Sequence, residues 1–126
     1  MEDPFYREEI LDHYYSSEHR GRLERPDHVC DLDNPFCGDQ IHVELAVEGE
    51  RVVEMRFDGK GCVISQAAAS LLADRIEGAT VEETLKLGPD DVLAMLGIPL
   101  TPNRMKCGLL GLRAVRQALT ARSAAT

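Results

Sequence analysis

Hydrophobic and polar residues alternate along a stretch near the middle of the chain. Apolar side chains fill every second position of "QIHVELAVEG" (residues 40–49), at Ile41, Val43, Leu45 and Val47. This two-residue repeat is typical of a half-buried strand. "GE" at 49–50 then predicts a tight turn, and "RVVEMRFDG" (51–59) predicts a second strand with Val53, Met55 and Phe57 on one side, so that the two segments form a hairpin. "KGCVIS" (60–65) predicts a third, shorter strand.

Apolar residues take helical spacing after residue 65. Ser65 is a candidate N-cap for "QAAASLLADRIEG", a helix that Gly78 ends. Thr80 and Glu83 have the spacing of a capping box that opens "VEETLKL", and Pro89 suits the first turn of "DDVLAMLG".

The two ends of the chain also carry helical patterns. "DPFYREEILDHYY" (3–15) predicts a helix with Asp3 as N-cap and Pro4 at its first position, whereas residues 16–33 are polar and predicted to be irregular. A last helix is expected from about Asn103 to Arg122. Strands followed by helices predict an α+β fold, in which helices cover one face of a small antiparallel sheet of about three strands. We expect one domain over residues 1–126.

Composition restricts the class of function. The chain has 126 residues, of which 44% are hydrophobic, and it shows neither an apolar run long enough to cross a bilayer nor an N-terminal signal peptide, so we expect a cytoplasmic protein without a membrane partner. A net charge of −8 argues against nucleic acid as a partner and favours a basic protein or a bound cation. Four cysteines in a reducing compartment are more typical of metal ligands, catalytic thiols or core residues than of disulfides.

Three of the cysteines lie at predicted element ends and next to glycine. They are Cys37, Cys62 and Cys107, and Asp39 follows the first by two residues, so three thiolates and one carboxylate have the composition of a tetrahedral metal shell. Each cysteine taken alone is more often a small buried residue, and their spacing matches neither a zinc ribbon nor a zinc finger. Cys30 has no glycine beside it and is interpreted as incidental.

The sequence around these cysteines resembles a known family. "NPFCGD" (34–39), "GKGCVISQAAAS" (59–70) and "RMKCGLL" (104–110) are similar, in the same order, to the three cysteine motifs of the IscU/SufU/NifU N-terminal family of iron-sulfur cluster assembly proteins. "FYREEILDHYYSSEHRGRLERPD" is similar to the family's N-terminal signature, so the resemblance runs from about Phe5 to Ala118. The family fold, a small antiparallel sheet packed by helices, agrees with the pattern above.

The resemblance implies a site and a function. By this resemblance, Cys37, Cys62 and Cys107 are the functional thiols, and Asp39 is a weaker fourth ligand that allows the site to release its cluster. Scaffold members receive sulfur from a cysteine desulfurase, build a transient [2Fe-2S] cluster with iron and pass it to apo iron-sulfur proteins. Arg104 and Lys106 lie close to Cys107 and would stabilise a thiolate or persulfide.

Departures from the family pattern keep a second function open. IscU scaffolds carry histidine before the third cysteine, whereas Lys106 is typical of SufU proteins, which hold zinc and accept persulfide sulfur, here on Cys107 or Cys37. The SufU insertion between the second and third motifs does not fit in this chain, whose length is IscU-like. The alternatives are therefore a mainly non-enzymatic scaffold and a zinc-dependent sulfurtransferase, and zinc is expected in the isolated protein in either case. "LTPNR" (100–104) differs from the segment that IscU presents to a dedicated Hsp70-type chaperone, which argues against that partner.

Two histidines are interpreted without a chemical role. His13 lies on a predicted helix face and is interpreted as structural or solvated. His42 falls on the polar face of the first predicted strand and is interpreted as solvent-exposed.

Overall fold

The computed structural model describes residues 8–16, 18–34 and 38–120. Its elements, in chain order, are α1 (Glu8–Tyr15), β1 (His28–Asn34), β2 (Asp39–Glu48), β3 (Arg51–Lys60), α2 (Val63–Ile76), α3 (Val81–Leu85), α4 (Pro89–Leu96), α5 (Pro102–Gly108) and α6 (Leu110–Thr120). The strands form one antiparallel sheet in the order β1-β2-β3. The predicted α+β architecture is confirmed.

The hairpin of β2 and β3 is confirmed, but the prediction is wrong for one residue of its apolar face. Met55 and Phe57 are buried as expected, whereas Val53 is exposed and Val52 is buried in its place. The register between β2 and β3 shifts at Ala46/Val47. A bulge of this kind moves every residue beyond it to the opposite face.

The third strand precedes the hairpin instead of following it. β1 pairs with β2 from His28 opposite Leu45 to Asn34 opposite Asp39, in a region predicted to be irregular. The segment predicted as a third strand, residues 60–65, instead holds the last residue of β3 and the start of α2. Backbone hydrogen bonds to β2 therefore decide the structure of 28–34, although its charged composition hides the alternation.

Helix boundaries follow the capping signals in part. The box of Thr80 and Glu83 is confirmed, with reciprocal hydrogen bonds of 2.9 and 3.0 Å, and Pro89 opens α4 as predicted. The N-cap of α2, however, is Cys62 and not Ser65. Of the predicted helix 3–15, residues 8–15 are helical, and Asp3 and Pro4 lie outside the described residues.

The predicted last helix is two helices. α5 begins after its N-cap Thr101 and ends at Gly108, and α6 begins at Leu110, while Arg122 lies outside the described residues. The break lets α5 pack on α2 while α6 covers β1 and β2. α6 also approaches α2 closely, since a Cβ at Gly111 would lie in van der Waals contact with the backbone of Ala69, at 3.4 Å.

The core lies between the sheet and the helices. α2 is buried over most of its surface and packs on β3, α4, α5 and α6. This packing fixes the N-terminus of α2 against the start of β2 and the end of α5. In the ranges that the structure describes, no helix combines the length and apolar character that a membrane span requires.

Candidate metal centre

Three of the four predicted ligands meet where three elements converge. Asp39 starts β2, Cys62 caps α2, and Cys107 lies in the last turn of α5. One carboxylate oxygen of Asp39 and the Sγ atoms of Cys62 and Cys107 all lie within 4.8 Å of one another. Asp39 and Cys107 are 1% and 2% exposed, and Cys62 is partly exposed, so solvent reaches the group on the Cys62 side.

Asp39 is held by the first turn of α2. Its Oδ1 accepts the backbone N–H of Cys62 at 2.9 Å, and its Oδ2 lies 3.8 Å from Cys62 Sγ. The N-terminus of a helix favours negative charge, because its first N–H groups are unpaired and the helix dipole is positive there. A buried carboxylate is therefore stabilised in the orientation that points it at the thiols.

Cys62 is fixed in the same way. Its Sγ accepts the backbone N–H of Ser65 at 3.5 Å, and its carbonyl oxygen accepts the Ser65 hydroxyl at 3.1 Å. Gly61 leaves the space for this arrangement. A Cβ there would lie 2.7 Å from Ser65 Oγ and closer still to Asp39 Oδ1.

The donor set fits a thiophilic metal ion. Zinc binds sulfur at about 2.3 Å and oxygen at about 2.0 Å, so a tetrahedral ion holds the two donor types about 3.5 Å apart. The separation of 3.8 Å between Asp39 Oδ2 and Cys62 Sγ needs little adjustment to reach that value. Two thiols and a buried carboxylate thus lie close enough to one another to supply three ligands of such a shell.

Cys37, the remaining predicted ligand, lies outside the described residues. The nearest described residues on either side are Asn34, at the end of β1, and Gly38, whose N–H donates to the Asn34 carbonyl at 2.8 Å. Gly38 has φ of +73°, which suits glycine. Arg104 and Lys106 lie with Cys107 on α5, half-buried and exposed respectively.

Cys30 does not join this group. It lies on β1, and its Sγ contacts Gln117 Oε1 at 3.7 Å. Burial, and then the charge of Asp31, raises the pKa of the Cys30 thiol above its ordinary value of 9.0. A thiol that stays protonated is a poor metal ligand, so Cys30 serves as a matched control for the other cysteines.

The interpretation of His42 as solvent-exposed is wrong. Its side chain is 14% exposed and lies between two carboxylates, with Nδ1 2.7 Å from Asp31 Oδ1 and Nε2 2.7 Å from Glu44 Oε2. Glu44 also accepts the backbone N–H of Leu23 at 2.7 Å, and Arg22 approaches to 3.6 Å. The segment 22–23 therefore covers this part of the sheet and buries the pair.

This pair gives stability a defined pH dependence. Burial disfavours the charged imidazole, but hydrogen bonds to Glu44 and Asp31 outweigh it and raise the pKa of His42 above 6.5. Burial likewise opposes the charge of Glu44, yet His42 and the Leu23 N–H lower its pKa below 4.5. The contribution of His42 is complete below 6.5 and is lost as pH rises through its raised pKa, whereas that of Glu44 is complete above 4.5 and is lost on acidification.

We therefore expect His42→Gln to destabilise the protein most between pH 4.5 and 6.5. The expected loss there is on the order of 1–2 kcal/mol, and it shrinks as pH rises above 7. Urea unfolding at pH 5.5 and 8.5 measures it, with His28→Gln on the same sheet as control. An equal loss at both pH values would contradict the ion pair.

Fold and site together define the class of protein: a small α+β protein in which one carboxylate oxygen and two cysteine sulfurs, a candidate metal-binding group, converge at the N-terminus of a buried helix. The family described as "NifU-like N terminal domain" matches residues 5–125, and the chain belongs to that family. The predicted family resemblance is confirmed.

Relatives carry two kinds of name. The chain is 31% identical to "Zinc-dependent sulfurtransferase SufU" of Bacillus subtilis, over 91% of this chain and 89% of the relative. It is 36% identical to "Iron-sulfur cluster assembly scaffold protein IscU" of Thermotoga maritima, over 90% of this chain and 92% of the relative. A crystal structure from Fervidobacterium islandicum, described as a putative iron-sulfur cluster assembly scaffold protein for the SUF system, superposes with a TM-score of 0.80 at 28% identity, covering 92% of this chain and 97% of the other.

Chain length does not distinguish relatives named as scaffolds from the relative named as a sulfurtransferase. The alignments with the Bacillus and Thermotoga proteins run over 132 and 130 positions, more than the 126 residues of this chain, so both relatives contain inserted residues. The alignment with an Archaeoglobus fulgidus IscU runs over 114 positions at 32% identity. The missing insertion therefore gives no argument against either function.

Proposed function

We propose that this chain is an iron-sulfur cluster assembly scaffold. It accepts sulfur from a cysteine desulfurase, assembles a [2Fe-2S] cluster with iron and passes it to apo-proteins. The observation that carries the proposal is the convergence of Asp39, Cys62 and Cys107 donor atoms within 4.8 Å, in a chain of this family. The curated relatives named as scaffolds support it.

Each ligand has a distinct role in this proposal. Cys37, Cys62 and Cys107 supply soft thiolates that hold iron, and the harder Asp39 carboxylate provides the corner that exchanges first. Two residues span at most about 7 Å, so Cys37 is within chain reach of Asp39. Arg104 and Lys106 offset the negative charge of the thiolates, and we place the whole domain, residues 1–126, in the cytoplasm.

A second candidate function rests on Lys106 and on the Bacillus relative. In a SufU-type sulfurtransferase, the thiolate of Cys107 or Cys37 attacks the terminal sulfur of the desulfurase persulfide. A new S–S bond forms on this chain, the S–S bond of the desulfurase breaks, and its cysteine leaves as a thiolate, with no net oxidation. Zinc on the same residues would keep the thiols deprotonated.

Anaerobic reconstitution tests the proposal. The full chain is incubated with iron, cysteine and a cysteine desulfurase, and the visible spectrum and subsequent transfer to an apo-ferredoxin are followed. A cluster that forms on the chain and activates the ferredoxin supports the scaffold. Failure to form a cluster, with zinc retained and desulfurase turnover raised, would overturn it in favour of the sulfurtransferase.

Substitution of Asp39 separates the two functions. In a scaffold, Asp39→Ala removes the labile ligand, so the cluster should persist longer and transfer more slowly. In a zinc sulfurtransferase, the same change should weaken zinc and reduce stimulation of the desulfurase. Asp39→Asn is the matched control, because it keeps an oxygen for the Cys62 N–H and loses the charge. Unchanged cluster lifetime and zinc affinity in both variants would exclude Asp39 from the site.

A further inference from the structure

A second group of metal-ligand atoms lies outside the site described above. A carboxylate oxygen of Glu18, a ring nitrogen of His19 and a carboxylate oxygen of Asp74 lie within 4.8 Å of one another. Glu18 and His19 follow α1, and Asp74 lies in the last turn of α2. No sequence motif marks this group, because Asp74 lies 55 residues after His19 in the chain.

A fourth donor lies beside these three. His13 Nδ1 is 4.0 Å from Asp74 Oδ2 and 2.9 Å from Ser70 Oγ. A cleft of about 200 Å³ opens here, and every described side chain that lines it carries oxygen or nitrogen donors: Asp12, His13, Ser16, Glu18, Ser70 and Asp74. Its volume is several times the roughly 30 Å³ that one water occupies in the liquid, so an ion with water ligands fits.

His19 is oriented as a metal-ligating histidine is. It is 3% exposed, and its Nε2 points into the group, 2.6 Å from Asp74 Oδ1. Its other nitrogen, Nδ1, lies 3.5 Å from Glu77 Oε2 and makes no hydrogen bond within the described part of the chain. Histidines that bind metal typically direct the second ring N–H at a carboxylate, which fixes the ring and selects the tautomer.

Glu77 is itself held in place. Its Oε2 accepts the backbone N–H of Met55 at 2.9 Å and lies 3.8 Å from Arg56 Nη1. The backbone around His19 is fixed too, since its carbonyl oxygen accepts the N–H of Phe57 at 2.8 Å. The imidazole is therefore set between a fixed carboxylate on one side and an open, acidic cleft on the other.

We infer that Glu18, His19 and Asp74, with His13, form a second site for a divalent transition-metal ion. Imidazole nitrogens and carboxylate oxygens without sulfur suit zinc and cobalt(II), with ligand distances of about 2.0–2.2 Å. A bound ion opens the contact between His19 Nε2 and Asp74 Oδ1 from 2.6 Å to about 3.3 Å. This site stands independently of the proposed function.

Cobalt(II) titration of the full reduced chain tests the inference. Cobalt on thiolates gives intense near-ultraviolet charge-transfer absorption, whereas cobalt on nitrogen and oxygen gives only weak visible bands. The expected result is a component of binding seen in the visible bands without added charge transfer. Absence of such a component up to about 1 mM cobalt would overturn the second site. Visible bands that appear without any charge-transfer absorption would support the second site and count against the thiolate site.

Variants assign the component to residues. Glu18→Gln and Asp74→Asn alter side chains at the surface. Each substitution should weaken the cobalt binding seen in the visible bands at least tenfold, while the charge-transfer band stays unchanged. Asp90→Asn, an exposed carboxylate on α4, is the matched control. Wild-type cobalt binding in Asp74→Asn would overturn the assignment.

Glu77→Gln tests the orienting contact behind His19. Glutamine keeps an oxygen for the Met55 N–H but removes the charge that faces Nδ1. Loss of a carboxylate of this kind typically costs 10–100-fold in metal affinity, so we expect at least a tenfold loss of the visible component with an unchanged unfolding midpoint. A shifted midpoint with unchanged affinity would show that Glu77 is only structural.

Discussion

Cys107→Ser is expected to lower zinc affinity by more than about 100-fold and to prevent a stable cluster from forming. The Sγ of Cys107 lies within 4.8 Å of the Cys62 sulfur and an Asp39 oxygen, and the residue is 2% exposed. A serine hydroxyl is a much poorer ligand for zinc or iron than a thiolate, and loss even of a residue that only orients a ligand costs 10–100-fold. Competition with a chromophoric chelator measures the affinity.

The effect of Cys107→Ser on folding is measured separately from its effect on metal binding. Serine has nearly the shape of cysteine, and burying its hydroxyl costs about 1–3 kcal/mol, which urea unfolding of the metal-free protein resolves. Cys30→Ser is the control, because Cys30 lies on β1 away from the three donors, and it should retain wild-type metal affinity. Zinc affinity of Cys107→Ser within threefold of wild type would exclude Cys107 as a ligand.

How much of the fold the sequence predicts depends on whether local patterns or distant contacts decide each element. The hairpin of β2 and β3 is predictable because its alternation is local, and the Thr80 box is predictable because a cap involves only four residues. β1 is missed because Asp31 and Asp33 mask the inward positions of Cys30 and Leu32, and only pairing with β2 makes the segment a strand. The shift at Ala46/Val47 leaves no mark in the residue pattern.

The predicted site depends on the resemblance more than on spacing. The gaps between the cysteines match neither a zinc ribbon nor a zinc finger, and the proximity of Cys62 and Cys107 follows from packing that brings β2, α2 and α5 together. The group around His19 has no signal in the sequence at all. His19 is buried because residues 19–21 pair with β3 at Phe57, and Asp74 reaches it only through the docking of α1 and α2.

Gly61 is one of the glycines next to the predicted cysteine ligands, and the structure shows why glycine is needed there. Gly61 has an ordinary backbone conformation, so its need for glycine is one of space and not of dihedral angles. The space above its Cα is filled by the Asp39 carboxylate and the Ser65 hydroxyl. A side chain here acts directly on the metal centre.

Gly61→Ala is therefore expected to weaken zinc binding at least tenfold and to destabilise the protein by about 1–3 kcal/mol. The added methyl group would lie 2.7 Å from Ser65 Oγ and closer still to Asp39 Oδ1, so either the carboxylate turns away from the Cys62 N–H or the first turn of α2 shifts. Both movements separate Asp39 from the Cys62 sulfur. Chelator competition and urea unfolding measure the two effects.

Gly88→Ala is the matched control for this substitution. Gly88 also precedes a helix and has φ of −125°, but a Cβ there meets no atom within 4 Å among the described residues. Alanine is a poorer N-cap than glycine, so the control should lose up to about 1 kcal/mol of stability while keeping its zinc affinity. If Gly61→Ala behaved like this control, the close packing of Gly61 against Asp39 would not be what holds the carboxylate at the metal centre. Zinc binding that is weakened in Gly61→Ala but unchanged in Gly88→Ala would show that the position of Asp39, and not the general stability of the helix, sets the affinity of the site.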